Sequence, residues 1–591
     1  MSSDTRSDRA RHAVRSATTT SRIALKRVLL SRLFRWRYRG APLHQLLIVP
    51  QDLRTADPSF ASEIYHGHFG LAGAIALTGA ESPFRIRPPS REWERALHGF
   101  GWLRHLRAAG DEISREHARA LVRDWIAFYR NVGQFPWRPE IVARRIISWF
   151  SHASVVLDGA DQQFYDAVME SLSEQIRYLG HNYKDTPEGV PRLTALTALI
   201  LSGLCAAEEQ ALAATYDKPF SEELKRQILL DGGHVSRNPA ALIELLLDLL
   251  PLRQCYIARD WPPPDALTLA IDRMMPAIRF FRLGDGNLAR FNGMGATPTD
   301  SLATVLAYDD VQGSPVAHAD QSGYCRAELG GTVVIADMGV APPGSVSTRA
   351  HAGCMSFEMS SGRNVIVVNC GAPGRQDRDW HLVARSTAAH STLVVNDTSS
   401  SRFLSPAHRD DSPAEGRLSG PTKVTAKMLN LDGTIELEAV QDGYEPRFGI
   451  RHERVLKLEQ NGTRVSGSDR LTAPHGLKGE ARQEQVAIAI RFHLHPEVRA
   501  QLSQDGRTAL LALPNHEGWQ LASDDALITV EESVFLADNK GPRKSLQVVL
   551  NRTLDSGTTE VNWTLDKSAT KVISPSDLDN SETDPDELPL G

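Results

Sequence analysis

The chain has 591 residues, 41% of them hydrophobic and 23% charged, with a net charge of -6 at pH 7. That length exceeds what one compact core holds, so two large domains with tails are expected. The acidic balance removes any bulk electrostatic case for nucleic acid, and a polyanion would need a local basic cleft. The five cysteines, Cys205, Cys255, Cys325, Cys354 and Cys370, are odd in number and widely spaced. They read as buried thiols, with no disulfide framework and no thiolate metal site.

In chain order, residues 1–20 are polar and predicted to be disordered. The apolar run that follows, Ile23, Leu25, Val28, Leu29, Leu30, Leu33, Phe34 and Trp36, is broken by Lys26, Arg27, Arg32 and Arg35. It offers neither a signal-peptide core nor the roughly 20 apolar residues of a spanning helix. A short basic amphipathic helix is expected, either capping the first domain or making peripheral contact with an anionic membrane surface. Residues 21–290 read as one all-α domain without strands. Apolar positions recur at helical spacing in 117–126 and in the stretch after Trp137-Arg138-Pro139-Glu140, where the proline opens a helix. A third helix is the apolar run 195–204. A fourth starts at Asn238-Pro239 and shows Leu242, Leu245, Leu246 and Leu249 on one face. Trp102, Trp125, Trp137 and Trp149 sit at helical spacing and read as core. Residues 291–573 alternate apolar and polar in short β-branched runs such as 332–336, 364–368 and 545–550, which predicts an antiparallel sandwich. Residues 574–591 carry acid and no base, and a disordered tail is expected.

Three segments gather His, Arg and Asn beside small residues. They are D-G-G-H-V-S-R-N-P from Asp231 to Pro239, R-A-H-A-G-C-M-S-F-E-M from Arg349 to Met359, and R-S-T-A-A-H-S-T from Arg385 to Thr392. With V-N-C-G from Val368 to Gly371 between the last two, their order and character resemble the bacterial heparinase II/III-like proteins. The resemblance implies an α+β multidomain fold, an N-terminal (α/α) incomplete toroid followed by a C-terminal antiparallel β-sandwich. It implies a polysaccharide lyase that cleaves a uronic acid-containing polymer by β-elimination. Such chemistry needs groups that neutralise the uronate carboxylate and a base for the C5 proton.

Carried onto this chain, the resemblance implies His234 as acid or base, Arg237 and Arg349 as carboxylate partners, and His390 at its family position. Asn182 and Tyr183 stand near where relatives place an asparagine-containing segment. Arg385 and Asn238 are expected to bind substrate. No cofactor is required. A structural divalent metal, zinc or calcium, would map to His351, Asn369 and His390, although a neutral asparagine makes a weak ligand. The chain departs from the family pattern at Arg349 and Asn369, where histidine and aspartate are usual, and at Ala241, where a tyrosine is usual. Two further readings therefore stay open: a repurposed polysaccharide-binding protein of envelope glycan metabolism, and a toroid glycoside hydrolase using Asp231 and Glu244. The family implies the periplasm or cell envelope, whereas the N-terminus itself suits the cytoplasm.

Overall fold

The computed structural model describes residues 38, 40–129, 132–309, 317–374, 378–404, 416–482, 485–554 and 558–568. The expected amphipathic helix, the polar residues 1–20 and the acidic tail 574–591 lie outside these residues. The fold is α+β: helices up to residue 306, then antiparallel sheets. It divides into two compact units, Met1–Glu223 with Leu247–Leu267, and Leu224–Leu246 with Thr268–Gly591. The division expected near residue 290 is therefore displaced, because residues 224–246, with their glycine-rich loop, and 268–290 cluster with the sheets. Among the described residues no helix is long and apolar enough to cross a membrane.

In the first unit, local chemistry sets the helix starts. Asp111 and Asp161 accept the amide hydrogens of Ser114 and Phe164, capping helices Glu112–Phe128 and Gln162–Asn182. Prolines open helices Pro139–Ser151 and Val190–Cys205. The second of these is buried on nearly every face, which explains its lack of polar periodicity. The tryptophans expected in the core are there, packed with Phe100 around Arg145, which is fully buried. Its guanidinium lies 4.0 Å from the Trp125 ring centre and donates to Gln175 and to the carbonyls of His98 and Pro136. The unit also contains a hairpin, His68–Leu71 paired with Ala74–Leu77, which corrects the expectation of helices alone. Those strands are four residues each, too short for alternation to stand out from a helical pattern.

The second unit is built on two sheets. The eight-stranded sheet runs, in spatial order, Val424–Leu431, Thr434–Gln441, Arg451–Glu459, Arg464–Thr472, Thr558–Lys567, Gly518–Ala522, Thr508–Ala512 and Arg499–Leu502. The other has Phe357–Ser361, Asn364–Val368, Thr332–Asp337 and Ala487–Leu494 near its centre, with the short strand Leu393–Val395 also paired to Ala487–Leu494. Strand Arg451–Glu459 alternates buried with half-buried residues, as a sheet with one face on the core must, whereas Thr332–Asp337 is buried throughout. Side chains of both sheets meet in one core, where Phe357 stacks on Trp563 at 5.9 Å. Gly467 lies opposite Trp563 in the ladder, and a β-carbon there would come within 2.1 Å of the indole. All five cysteines are buried and free of disulfides.

Inside this apolar core sits a charged group. Asp469 accepts from Arg454 Nε and Nη2 at 2.7 and 3.0 Å, from His452 Nε2 at 2.7 Å and from Trp563 Nε1 at 3.1 Å. Burial works against ionisation, yet Arg454 and His452 hold the carboxyl well below the usual carboxylate range. Arg454 in turn donates to the carbonyls of Met355 and Ser391, tying both motif segments to the core. Asp469→Ala strands a buried guanidinium, so urea unfolding is expected to show a loss of about 3–5 kcal/mol. A loss under about 1 kcal/mol, the scale of a surface pair, would exclude this network as the anchor of the motif segments.

Candidate active site

The glycine-rich loop is fixed by its own acid. Asp231 Oδ2 accepts from the amides of Gln321 and Ser322 and from Ser322 Oγ, while Oδ1 accepts from the amide of Gly233. Those bonds occupy the carboxylate, and Glu244 is exposed on helix Ala240–Ala258. Beyond the loop, Arg237 adopts a left-handed backbone (φ 61°), uncommon for a residue with a β-carbon. Its Nε donates to Ser322 O at 2.6 Å, Nη1 to Gly339 O at 3.3 Å and Val340 O at 2.8 Å. Nη2 donates to Gly323 O at 3.0 Å and to Asp337 Oδ1 at 2.5 Å. A guanidinium has five N–H groups, and here each has an acceptor. Burial opposes the charge, but Asp337 and the Tyr324 hydroxyl raise the Arg237 pKa further.

The other Asp337 oxygen accepts from Asn292 Nδ2 at 3.0 Å. Asn292 Nδ2 also donates to Tyr324 Oη at 2.7 Å, and Tyr324 Oη donates to the Arg237 carbonyl at 2.6 Å. Asn292 Oδ1 accepts from the amide of His351 at 3.3 Å. Asp337, Asn292 and Tyr324 did not emerge from the sequence. Their only signals were an aspartate closing the strand before Gly339 and the F-N-G of residues 291–293.

This frame brings three groups together. Gly293 has φ 94°, and a β-carbon on it would lie 2.6 Å from the Arg349 carbonyl, 3.2 Å from the Arg349 β-carbon and 3.2 Å from Asn238 Nδ2. Asn238 uses its Oδ1 to accept from the amide of Ala240 at 2.9 Å, which orients its NH2 away from the helix start. Arg349 is exposed, and its guanidinium forms no hydrogen bond or ion pair among the described residues. His351, two residues on, is buried.

His351 and His390 are joined by a bond of 3.1 Å between Nδ1 and Nε2. His390 Nδ1 lies 2.7 Å from the Ser386 carbonyl, which only accepts, so that nitrogen carries the proton. His390 Nε2 must then accept and His351 Nδ1 must donate. The lone pair is thereby placed on His351 Nε2, which has no hydrogen-bond partner among the described residues. Burial pushes His390 down to about 4. Burial, with the nearby His390, Arg385, His381 and Arg349, holds His351 well below the ordinary imidazole value. Both rings are neutral near pH 7.

That geometry revises several sequence expectations. For the metal set, His351 Nδ1 and His390 Nε2 face each other at 3.1 Å, and Asn369 uses Oδ1 to accept from the amide of Ser391, so the set amounts to two imidazoles and a neutral, already engaged amide oxygen, a weak cation site. His234 is buried with Nδ1 bonded to Ser236 Oγ and Nε2 to Gln227 Oε1, so it supports the loop and offers no free nitrogen. Arg237 has no N–H to spare for a uronate. Arg385 is likewise engaged, donating to the carbonyls of Ala350, Ser347 and Gly416. Asn182 and Tyr183 belong to the first unit, where Asn182 donates back to the Tyr178 carbonyl and Tyr183 packs edge-on against Tyr216. Ala241 is buried in its helix and supplies no phenol.

Burial places the His234 pKa at about 4. The folded protein therefore keeps the ring neutral at a pH where the unfolded chain, with a value of about 6.5, takes up a proton. Its contribution to stability is complete above about 6.5 and is lost as pH falls toward 4. The unfolding midpoint in urea is expected to drop over that window, and His234→Gln is expected to flatten the drop. An equally steep profile in the variant would show that the acid sensitivity lies elsewhere.

Residues 311–564 match the family described as Heparinase II/III-like, C-terminal. FtsZ-localized protein C of Caulobacter vibrioides (strain NA1000 / CB15N) is 32% identical over 529 residues, covering 88% of this chain and 90% of that protein. Among solved structures, heparinase III aligns with a TM-score of 0.65 at 15% identity, over 85% of this chain and 80% of its own. Heparan sulfate lyase HepC from Pedobacter heparinus aligns at 0.59 and 16%, over 88% and 85%. At such low identity these two structures establish the shared lyase fold. With the family match, the full-length relative and the motif segments in their expected order, the chain belongs to the heparinase II/III-like family.

Proposed function

We propose that this protein is a lyase that cleaves an acidic polysaccharide by β-elimination beside a uronic acid. The observation that carries this reading is that the Asn238 amide and the Arg349 backbone meet at Gly293, while Asn292 beside it accepts from the amide of His351, whose Nε2 is open. Arg349 and Asn238 Nδ2 take the uronate carboxylate, which makes the C5 proton acidic enough to leave. His351 Nε2 accepts that proton; the C5–H electron pair becomes the C4–C5 double bond, and the bond from C4 to its glycosidic oxygen breaks. The departing oxygen takes the proton back from His351. With Ala241 in place of the usual tyrosine, one imidazole serves in both directions. His390 supports it, since His351 Nδ1–H still donates to His390 when the ring is charged.

Ultraviolet absorbance tests this directly, because the unsaturated uronate absorbs and hydrolysis products do not. Heparan-type, hyaluronan, alginate and bacterial capsular polymers form the panel. One of them is expected to give a rising signal that His351→Ala reduces at least about 100-fold, the scale of a lost general base. Arg349→Ala is expected to lower kcat/KM by a similar factor, while His234→Gln keeps the rate per folded molecule. Full activity in His351→Ala would remove it as the base.

A second reading has its own support. The name of the Caulobacter relative says that it is FtsZ-localized, and Ala241 removes a proton-transfer group. On this reading the chain keeps the Asn238, Arg349 and His351 groups for glycan binding and localises with FtsZ. A flat absorbance trace, tight binding to one polymer and a fluorescent fusion that follows FtsZ would together replace the lyase reading with this one.

A further inference from the structure

Arg499–Leu502 is the last strand of the eight-stranded sheet, and Leu527–Phe535 is the last strand of the other. Among the described residues neither has a strand on its outer side. A groove of about 320 Å³ takes its lining from both strands and from the start of Arg543–Thr553. Val498, Ala500 and Leu546 give it an apolar floor, and Arg499, Glu532 and Lys544 bring charge to it. Val498 is buried in the sandwich core, with Ala500 and Leu546 half-buried against that core. The floor is therefore an edge of the core that the described chain leaves partly open. Arg499 and Lys544 are exposed, and Lys544 forms no ion pair among the described residues. Unpaired strand edges offer backbone N–H and C=O groups to any passing chain, and proteins commonly cover such edges with a piece of their own.

The register of the sheet identifies the piece within reach. Lys567, the end of strand Thr558–Lys567, pairs with Trp519, Trp519 with Leu511, and Leu511 with Ala500. These residues form one row, so Lys567 and the groove floor are three strand spacings apart, about 14 Å. Five residues of extended chain span about 16 Å, which carries the chain from Lys567 to Ala500 by residue 572. Positions 572 and 573 are the apolar pair Val572 and Ile573. Asp577, Asp579 and Glu582 follow, with no lysine or arginine from there to Gly591. That order, apolar and then acidic, matches an apolar floor beside Arg499 and Lys544. Two cations against one carboxylate, Glu532, leave the charged lining net positive.

We propose that the segment from Val572 to Glu587 docks in this groove within the same molecule, with Val572 and Ile573 on the floor and the acids beside Arg499 and Lys544. A tethered segment has an effective concentration on the order of millimolar, so contacts that are individually modest hold it. Docking covers the two strand edges and closes the groove to other extended chains. The inference stands apart from the lyase reading and does not depend on it.

The test uses the full chain and a carbodiimide, which joins a lysine amine directly to a carboxylate only where the two touch. Trypsin leaves residues 572–591 as one peptide, because no lysine or arginine follows Lys571. Mass spectrometry is expected to find that peptide joined to Lys544 through a carboxylate between Asp577 and Glu587. A mixture of light and heavy-isotope protein is expected to place the link within one molecule. Val572→Asp combined with Ile573→Asp is expected to lower its yield at least about tenfold, the scale of one lost aliphatic contact, and to speed amide hydrogen exchange in Arg499–Leu502. High salt is expected to lower the yield too, since the charged partners are exposed. If Lys544 couples only to Glu532, or the double variant couples as well as wild type, the docking is overturned. Links between light and heavy molecules would overturn it in favour of a second copy of the chain as the occupant.

Discussion

The ion pair between Arg237 and Asp337 is the constraint on which the second unit's chemistry depends. One guanidinium spends every N–H it has on four carbonyls and a carboxylate. Each of those acceptors belongs to the turns at residues 322–323 and 337–340, so the loop that ends at Asn238 is locked to the strand ends. The same carboxylate reaches Asn292, which receives the amide of His351. A buried charge of this kind is costly to desolvate, and removing either partner leaves the other stranded. Such a pair contributes less to net stability than to placing two distant stretches of chain in a single register.

A second theme is that the polar groups of the motifs divide into those that hold and those that remain free. Asp231, His234, Arg237 and Arg385 look chemically potent in the sequence, yet each has its donors or acceptors filled by neighbouring backbone or side chains. Among the described residues, Asn238, Arg349 and His351 each keep one functional atom without a partner. The free set is useful because the filled set is rigid, as a preorganised site requires. His390 links the two classes. Its bond to the Ser386 carbonyl fixes its tautomer, and that choice propagates to His351, whose Nδ1 then donates to His390 and whose Nε2 carries the lone pair.

The sandwich makes the same division. Asp469, Arg454 and His452 form a fully buried charged cluster, and Arg454 reaches out to Met355 and Ser391. The motif segments carrying His351 and His390 are thus held from below by the sandwich core and from the side by Arg385. In the helical unit Arg145 plays a comparable organising part without a carboxylate, its charge facing aromatic rings and carbonyl oxygens.

Much was legible in the amino-acid order. Caps and prolines marked the helix starts, β-branched alternation marked the sheets, and three short segments with their spacing gave the family and therefore the fold. Residue types also gathered cationic and imidazole groups into the same short segments. The short hairpin at residues 68–77 and the position of loop 228–239 within the second unit were not legible, because four-residue strands and long-range clustering leave no local period. Nor could the sequence say which histidine keeps a free ring nitrogen. His234 and His351 are the same side chain in equally suggestive motifs, and only their surroundings separate them. Gln227 and Ser236 close one ring, while Ser386 and His390 leave the other open. Even partners only 2 to 39 residues apart are selected by how the chain packs, so the tertiary structure alone decided which of the candidate groups keep a free atom.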